Sequence, residues 1–273
     1  MERGDGAAEL RVGLRAGQTR LLHLHQHDPG RILFPLSEAD QPMGAVLVVT
    51  SGGLTGGDRL RVGVGVETGA ALSVAGQAAE KLYRSSGADC RIDVGLSVAS
   101  AATLEYVPQE TILFDGARLA RRQVVDLAAD ARLIAADMLV FGRIAHGGER
   151  FAHGLLRDSW RVRRDGHLVW ADALRLEGDI AATLDNPFAF AGARALATAF
   201  CAAPDAAALL EPARERLAAA SCNAAVTLVN GLLLMRCFGT DAALVRATLV
   251  DYLSFLRHAA FGWPAQLPRV WHT

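Results

Sequence analysis

Short stretches of alternating apolar and polar residues dominate the first two thirds of the chain and restrict its fold more than any other feature. Apolar residues occupy every second position from Leu60 to Val66 and from Ile92 to Val98. This period of two predicts β-strands with one buried face. Val46–Val49 is a continuous apolar run, which is typical of a strand buried on both faces. Because no helix-length pattern separates these stretches, a βαβ parallel sheet is disfavoured and a sandwich or coiled β architecture is predicted.

The pattern changes near Asn186-Pro187, after which helices and one hairpin are predicted. Ala189–Ala220 is rich in alanine and poor in β-branched residues, which favours helix, with a second helix beginning near Pro204-Asp205. Asn230-Gly231 separates two apolar segments and predicts a type I′ hairpin. Asp241–Ala260 has apolar residues at helical spacing and is predicted to be a helix.

Length and composition are consistent with one large, mainly β domain. The 273 residues can bury a substantial core, and a hydrophobic content of 51% excludes global disorder. We predict a single domain over residues 1–273, β-rich from 10 to 185, with the helices and the hairpin between 186 and 273. The formal net charge of -1 gives no basic excess for nucleic acid. The sequence shows neither a signal peptide nor an apolar run of about 18 residues, so a cytoplasmic protein without a membrane span is predicted.

The glycine-rich run from Gly52 to Arg59 has the glycine spacing of a phosphate-binding loop. The position that requires lysine in such a loop holds Asp58, whose carboxylate would repel a phosphate. The segment that follows is predicted to be a strand, so no helix N-terminus faces the loop. We therefore interpret the run as a glycine-dependent turn between strands, with Asp58 exposed on it and available to a metal ion or a protein partner.

Three histidines, His23, His25 and His27, alternate along a predicted strand and are expected on one face of it. Imidazoles at this spacing can bind nickel, copper or zinc. The same pattern also fits a solvated edge strand, so the sequence leaves both interpretations open.

The sequence contains no recognisable catalytic motif. It has no nucleophile elbow, no zinc-protease helix motif, no calcium-binding loop and no dinucleotide-binding fingerprint. Glu105, Glu110 and Asp115 lie close together around Pro108, and a pair of them could do acid–base work, while His146 and His153 flank Glu149 in a glycine-rich segment. Loop carboxylates are usually only solvated, and a surface loop is the commoner setting for the histidines.

Four segments and the chain end resemble the signature blocks of one known family, in that family's order. They are Gly52–Leu60, Gln77–Ser85, Leu104–Phe114, Gly142–Glu149 and the closing Leu267–Trp271. Together they resemble the urease accessory protein UreD family, also called UreH. The motif positions that the resemblance marks as structural are Gly52, Gly53, Gly56, Gly57, Arg59, Lys81, Tyr83, Arg84, Pro108, Gln109 and Arg143.

The resemblance implies a function that the residue patterns alone do not. Proteins of this family help to load nickel into apo-urease, and they are not enzymes. They bind the urease structural subunits and a UreF-type accessory protein, which recruits a UreG-type GTPase, and they are described as mainly β proteins with an internal channel. The resemblance thus implies transient Ni²⁺ and no tightly bound cofactor. The carboxylates that it suggests as nickel contacts are Asp58, Glu149, Glu110 and Asp115.

The sequence departs from the family pattern at one position and leaves two other functions open. Phe141 stands where family members often carry cysteine, so a metal-transferring thiolate is not expected there. The histidines between 23 and 27 belong to none of the family blocks. The alternatives are an unrecognised metal-dependent hydrolase that uses Asp58, Glu149 and the loop histidines, and a β adaptor with no metal role.

Overall fold

A computed structural model describes residues 3–36, 40–143 and 147–272, which form two stacked β-sheets and a layer of helices. Within these ranges the strands are β1 (Asp5–Arg15), β2 (Gln18–His27), β3 (Gly30–Leu33), β4 (Met43–Val49), β5 (Arg59–Val66), β6 (Ala71–Gly76), β7 (Glu80–Leu82), β8 (Cys90–Val98), β9 (Thr103–Val107), β10 (Thr111–Leu113), β11 (Arg118–Leu127), β12 (Arg132–Phe141), β13 (Leu155–Arg164), β14 (His167–Glu177), β15 (Ala195–Ala202), β16 (Asn223–Val229) and β17 (Leu232–Gly239). The α-helices are α1 (Ile180–Asp185), α2 (Leu210–Leu217) and α3 (Ala242–Phe261), and two 3-10 turns cover Ala206–Leu209 and Arg269–His272.

Successive strands from β4 to β13 wind between the two sheets as a coil. The first sheet has the order β14-β13-β11-β8-β5-β1-β2. Its five central strands, β13, β11, β8, β5 and β1, run parallel to one another. The second sheet has the order β16-β17-β15-β12-β9-β6-β4-β3, in which β4, β6, β9 and β12 are parallel, and β10 pairs with β12 and β7. Parallel pairing therefore arises here without helical crossovers, and the predicted coiled β architecture is confirmed.

The alternation of side chains places the main core between the sheets. On β5 the even-numbered residues from Leu60 to Val66 are buried, and they lie opposite the buried residues of β8 from Ile92 to Val98. In the second sheet, β12 and most of β15 are buried on both faces, because α3 covers their outer side. Nearly every side chain of β12 is consequently buried, and Met138 belongs to the cluster that also contains Tyr252 of α3.

The predicted helix over Ala189–Ala220 is wrong in its first half. Ala195–Ala202 is strand β15, which pairs with both β12 and β17. The helical preference of alanine amounts to less than about 1 kcal/mol per residue. Backbone pairing on two sides outweighs it, and the small side chains let α3 pack closely on the sheet. The second predicted helix is present as the 3-10 turn Ala206–Leu209 followed by α2.

The remaining local predictions for the C-terminal third are confirmed. The turn residues Asn230 and Gly231 have φ angles of 47° and 77°, as a type I′ hairpin between β16 and β17 requires. Helix α3 begins after Asp241, whose side chain accepts a hydrogen bond of 2.8 Å from the N–H of Ala243, and it ends at Gly262 in the left-handed conformation. No helix in the described part of the chain is long and apolar enough to cross a membrane.

Candidate functional site

The turn between β4 and β5 and the segment around β7 form one structural unit. The N–H of Leu54 donates to the carbonyl of Lys81, and the N–H of Tyr83 donates to the carbonyl of Leu54, both at 2.8 Å. Gly53 has a φ of 140°, and a Cβ there would lie 2.5 Å from the Tyr83 ring and 2.8 Å from the Lys81 carbonyl. Only glycine permits this approach. The first two family blocks are therefore adjacent in space because their backbones pair.

Asp58 closes this turn and is buried, with 9% exposure, so the expectation of an exposed carboxylate is wrong. Its Oδ1 accepts from the N–H of Gly4 and its Oδ2 from the N–H of Thr55, both at 2.8 Å. These bonds satisfy backbone donors that the tight turn leaves unpaired, which is why the side chain points inward. A metal contact through Asp58 stays a prediction, and this geometry gives the residue a structural role.

Glu149 and Asp115 are far apart in sequence, and the structure brings them together. Glu149 accepts from the backbone N–H of Asp115 at 2.8 Å through Oε1 and from Nε of Arg143 at 2.8 Å through Oε2. The Arg143 guanidinium lies 4.2 Å from the centre of the Phe114 ring. Burial acts to raise the pKa of Glu149, but these hydrogen bonds and the Arg143 charge outweigh it, so the pKa lies below its ordinary value.

Asp115 ties the same loop to the Gln77–Ser85 block. Its Oδ1 accepts from the N–H groups of Ala152 and His153 at 3.0 and 2.9 Å, and its Oδ2 accepts from Arg84 at 3.0 Å. Burial acts to raise the pKa of Asp115, but the hydrogen bonds from His153 and Ala152 prevail and lower it. Both carboxylates thus serve to fix the loop. His146 lies outside the described residues.

The Pro108-Gln109-Glu110 motif anchors the end of the chain. The Gln109 side-chain amide donates to the carbonyl of Val270 at 2.6 Å. Arg246 of α3 donates to the carbonyl of Trp271 at 2.9 Å and to Glu110 at 3.4 Å. The motif therefore connects the coil to α3 and to the closing segment, and Glu110 is an ion-pair partner in this arrangement.

A cavity of about 230 Å³ lies between the two sheets next to the glycine turn. Its lining includes exposed residues at one end, among them Gly52 and Lys81, and buried residues at the other, among them Tyr106 and Gln123. The cavity therefore reaches from the surface into the interior of the coil. Asp58, Glu149, Glu110 and Asp115 are not among the residues that line it.

A buried ionic cluster lies at the inner end of this cavity. Arg121 of β11 lines the cavity and bridges Asp158 of β13 and Asp137 of the opposite sheet. Its hydrogen bonds to Asp158 measure 2.9 and 2.7 Å, one of those to Asp137 measures 2.9 Å, and Thr111 accepts a longer one of 3.3 Å. Burial raises the pKa of Asp137, and the negative charge of Asp158 raises it further. The positive charge of Arg121 opposes both effects. With both carboxylates ionised, the cluster carries one excess negative charge.

Two further polar groups face the same space. Glu80 lines the cavity, and burial raises its pKa to about 7, against the opposing effects of a backbone hydrogen bond and the positive charge of Lys81. Gln123 is 2% exposed and also lines the cavity, and its Nε2 has no hydrogen-bond partner within the described ranges. A buried amide donor at a cavity wall is the kind of group that water satisfies.

Sequence reasoning missed Glu80, Arg121, Asp137 and Asp158. Two signals were available: Asp137 interrupts an otherwise apolar run in β12, and Arg121 and Asp158 occupy inward positions of alternating strands. Within residues 3–36, 40–143 and 147–272, no set of three His, Cys, Asp or Glu side chains is placed to hold a metal ion. The predicted shared face of His23, His25 and His27 is confirmed, on the outer side of β2.

Comparison with known proteins identifies the family. The sequence model of the family described as UreD urease accessory protein matches residues 4–272. The chain is 47% identical over 272 residues to the urease accessory protein UreD of Magnetococcus marinus, covering 98% of this chain and 93% of that protein. It is 42% identical to the urease accessory protein UreD of Xanthobacter autotrophicus, covering 100% of this chain and 91% of that protein. This chain therefore belongs to the UreD family of urease accessory proteins, in agreement with the predicted non-enzymatic role.

Proposed function

We propose that this chain assists the insertion of nickel into apo-urease in the cytoplasm. In this role it binds the urease structural subunits and a UreF-type accessory protein, through which a UreG-type GTPase joins the complex. Family membership supports the role in urease maturation. The observation that carries the nickel part is the cavity between the sheets, with Glu80 in its wall and the Arg121 cluster at its inner end.

The cavity wall carries three positive side chains, Arg31, Lys81 and Arg121, so the proposed attraction for a cation comes from Glu80 and from the two aspartates behind Arg121. With both Asp137 and Asp158 ionised, the Arg121 cluster carries one negative charge in excess, and at low effective dielectric such a charge attracts a divalent ion strongly. The unsatisfied amide of Gln123 is consistent with a hydrated interior. Sparse carboxylate and amide ligands bind nickel weakly, so the ion can leave again. Ni²⁺ is thus cargo, and no tightly bound cofactor is proposed.

A glycine turn and two ionic anchors hold the mouth of this cavity in place. The turn at Gly53 is pinned to the β7 segment by backbone hydrogen bonds, and Asp115 connects that segment to the Glu149 loop through Arg84. Partner proteins that contact these loops would find the mouth already formed. A rigid mouth lowers the entropic cost of docking.

The proposal is tested by obstructing the cavity. Ala79 lines it and is half-buried, so Ala79→Phe should narrow the passage without opening the core. In a reconstituted activation assay with apo-urease, the partner proteins and Ni²⁺, we expect the nickel content of urease to fall several-fold while the complex still forms by size-exclusion chromatography. Ala173→Phe, at an exposed position of β14 outside the cavity lining, is the matched control and should behave as wild type.

Each alternative predicts a different outcome. Normal nickel loading with Ala79→Phe, together with normal complex formation, would leave only the adaptor role without metal transfer. Normal urease activation in a strain that lacks the protein would contradict the maturation role itself. Turnover of a substrate by the isolated chain, abolished by Asp58→Ala in a folded variant, would support the hydrolase instead.

A further inference from the structure

Three exposed imidazoles on the outer face of the first sheet are left unused by the maturation role. Strand β2 is the end strand of this sheet and pairs with β1. His23, His25 and His27 alternate on its exposed face, while Leu24 between them packs against the core. Their side chains therefore all point to solvent, and the cavity lies on the opposite side of this sheet.

The pairing with β1 distinguishes the three histidines. His23 lies opposite Arg11, whose positive charge disfavours a cation. His25 lies opposite Glu9, whose carboxylate favours one. The electrostatic surroundings therefore favour a bound cation at His25 over one at His23.

The ring of His27 is held in the tautomer that a metal ion requires. Its Nδ1 lies 2.8 Å from the backbone carbonyl oxygen of Asp5. A carbonyl oxygen can only accept, so Nδ1 carries the proton, and in the neutral ring the lone pair stays on Nε2. A backbone carbonyl plays the same part behind many metal-binding histidines. Ala7, which carries no charge, lies opposite His27.

The spacing of the pair allows chelation. Side chains two positions apart on a strand are separated by about 6.7 Å, and two imidazoles can converge on one ion at nitrogen–metal distances of about 2 Å. We propose that His25 and His27 together bind one borderline divalent cation, Ni²⁺, Cu²⁺ or Zn²⁺, on the outer face of β2, with water completing the coordination. Two imidazoles prefer these ions to Mg²⁺.

This site is separate from the cavity and does not depend on the maturation role. It is tested on the full-length chain without an affinity tag by isothermal titration calorimetry with NiCl₂ at about pH 7.5. We expect His25→Ala/His27→Ala to lose one bound nickel equivalent or to weaken it by roughly tenfold or more. His23→Ala, at an equally exposed position of the same strand, is the matched control and should change affinity by less than about twofold. MgCl₂ should give no binding heat at this site.

Copper provides a second measurement of the same site. In wild type with one equivalent of Cu²⁺, electron paramagnetic resonance should show coupling to two imidazole nitrogens, and His25→Gln/His27→Gln should remove it. Circular dichroism would confirm that the variants are folded. Unchanged nickel affinity in the double variant, or an equal loss with His23→Ala, would overturn the assignment.

Discussion

At the scale of single residues, Glu80 is a carboxylic acid whose surroundings move its pKa close to neutral. Its carboxyl lines the cavity, and burial raises its pKa from 4.5 to about 7. The folded state therefore holds a proton that the unfolded chain releases between these two values. Because the native state binds more protons in this window, the free energy of unfolding must fall as the pH rises through it.

The Glu80→Gln variant should lack this pH dependence. A shift from 4.5 to about 7 corresponds to at most about 3 kcal/mol, reduced by the partial exposure of the residue. Urea unfolding at about pH 5 and about pH 8 should show wild type losing stability towards the higher pH and Glu80→Gln losing less. The exposed Glu211 supplies the control, because Glu211→Gln should keep the wild-type profile. Identical profiles for Glu80→Gln and wild type would contradict the assignment.

Two adjacent glycines provide a second test at this scale. Gly52 has a φ of 71°, and a methyl group added to it would have no other atom within 4 Å. Gly53 has a φ of 140°, and a methyl group there would meet Tyr83 and Lys81. Gly52→Ala should cost about 1–2 kcal/mol from backbone strain alone. Gly53→Ala should cost clearly more, because the methyl also displaces β7. Equal losses in urea unfolding would show that the contact to β7 is unimportant.

At the scale of secondary-structure elements, the Arg121 cluster joins β11 and β13 of one sheet to β12 of the other. Removing the guanidinium leaves Asp137 and Asp158 buried without their partner. Arg121→Met should therefore lower the free energy of unfolding by about 3–5 kcal/mol. Arg121→Met/Asp137→Leu/Asp158→Leu should recover most of this loss, since apolar groups of similar size can replace a buried ion triad.

The triple variant separates folding from transport. If the cluster attracts nickel, the variant should be stable by urea unfolding and still load urease poorly in the reconstituted assay. Wild-type nickel loading by a stable triple variant would mean that the cluster serves only to join the sheets.

The closing segment is held by side chains of another element, and this contact can be released. Arg246 of α3 and Gln109 after β9 bind the carbonyls of Trp271 and Val270. Gln109→Ala should speed amide hydrogen exchange in residues 264–272 by roughly tenfold or more, because local opening no longer breaks these bonds. The centre of β12 should exchange as in wild type. Unchanged exchange at the chain end would show that Arg246 alone suffices.

At the scale of the whole molecule, one exposed amine marks the mouth of the cavity. Lys81 is the only lysine in the sequence, and it is exposed at the cavity wall. Reductive methylation with ¹³C-formaldehyde should therefore add one side-chain signal besides the N-terminal amine. Under the proposed function, adding the UreF-type partner or apo-urease should shift or protect this signal. A Lys81 signal unaffected by every partner would place the docking surfaces away from the mouth.

The sequence determined the local parts of this protein: alternating strands, the type I′ hairpin, the capped helix α3 and the glycine-dependent turn. These depend on periodicity and backbone preference within a few residues, which a single chain displays directly. The ordered family blocks also sufficed to identify a urease accessory protein. The helix predicted at Ala195–Ala202 failed because alanine's weak preference carries no information about neighbouring strands.

Only the tertiary structure decided which charged groups meet. Asp58 was chosen from its motif, but its carboxylate accepts hydrogen bonds from backbone N–H groups. Asp137 and Asp158 both pair with Arg121 at the end of a cavity that no local pattern reveals. The coil brings these side chains together from strands that are distant in sequence. Burial and electrostatic partners depend on that packing rather than on residue type, so the polar interior was accessible only from the folded chain.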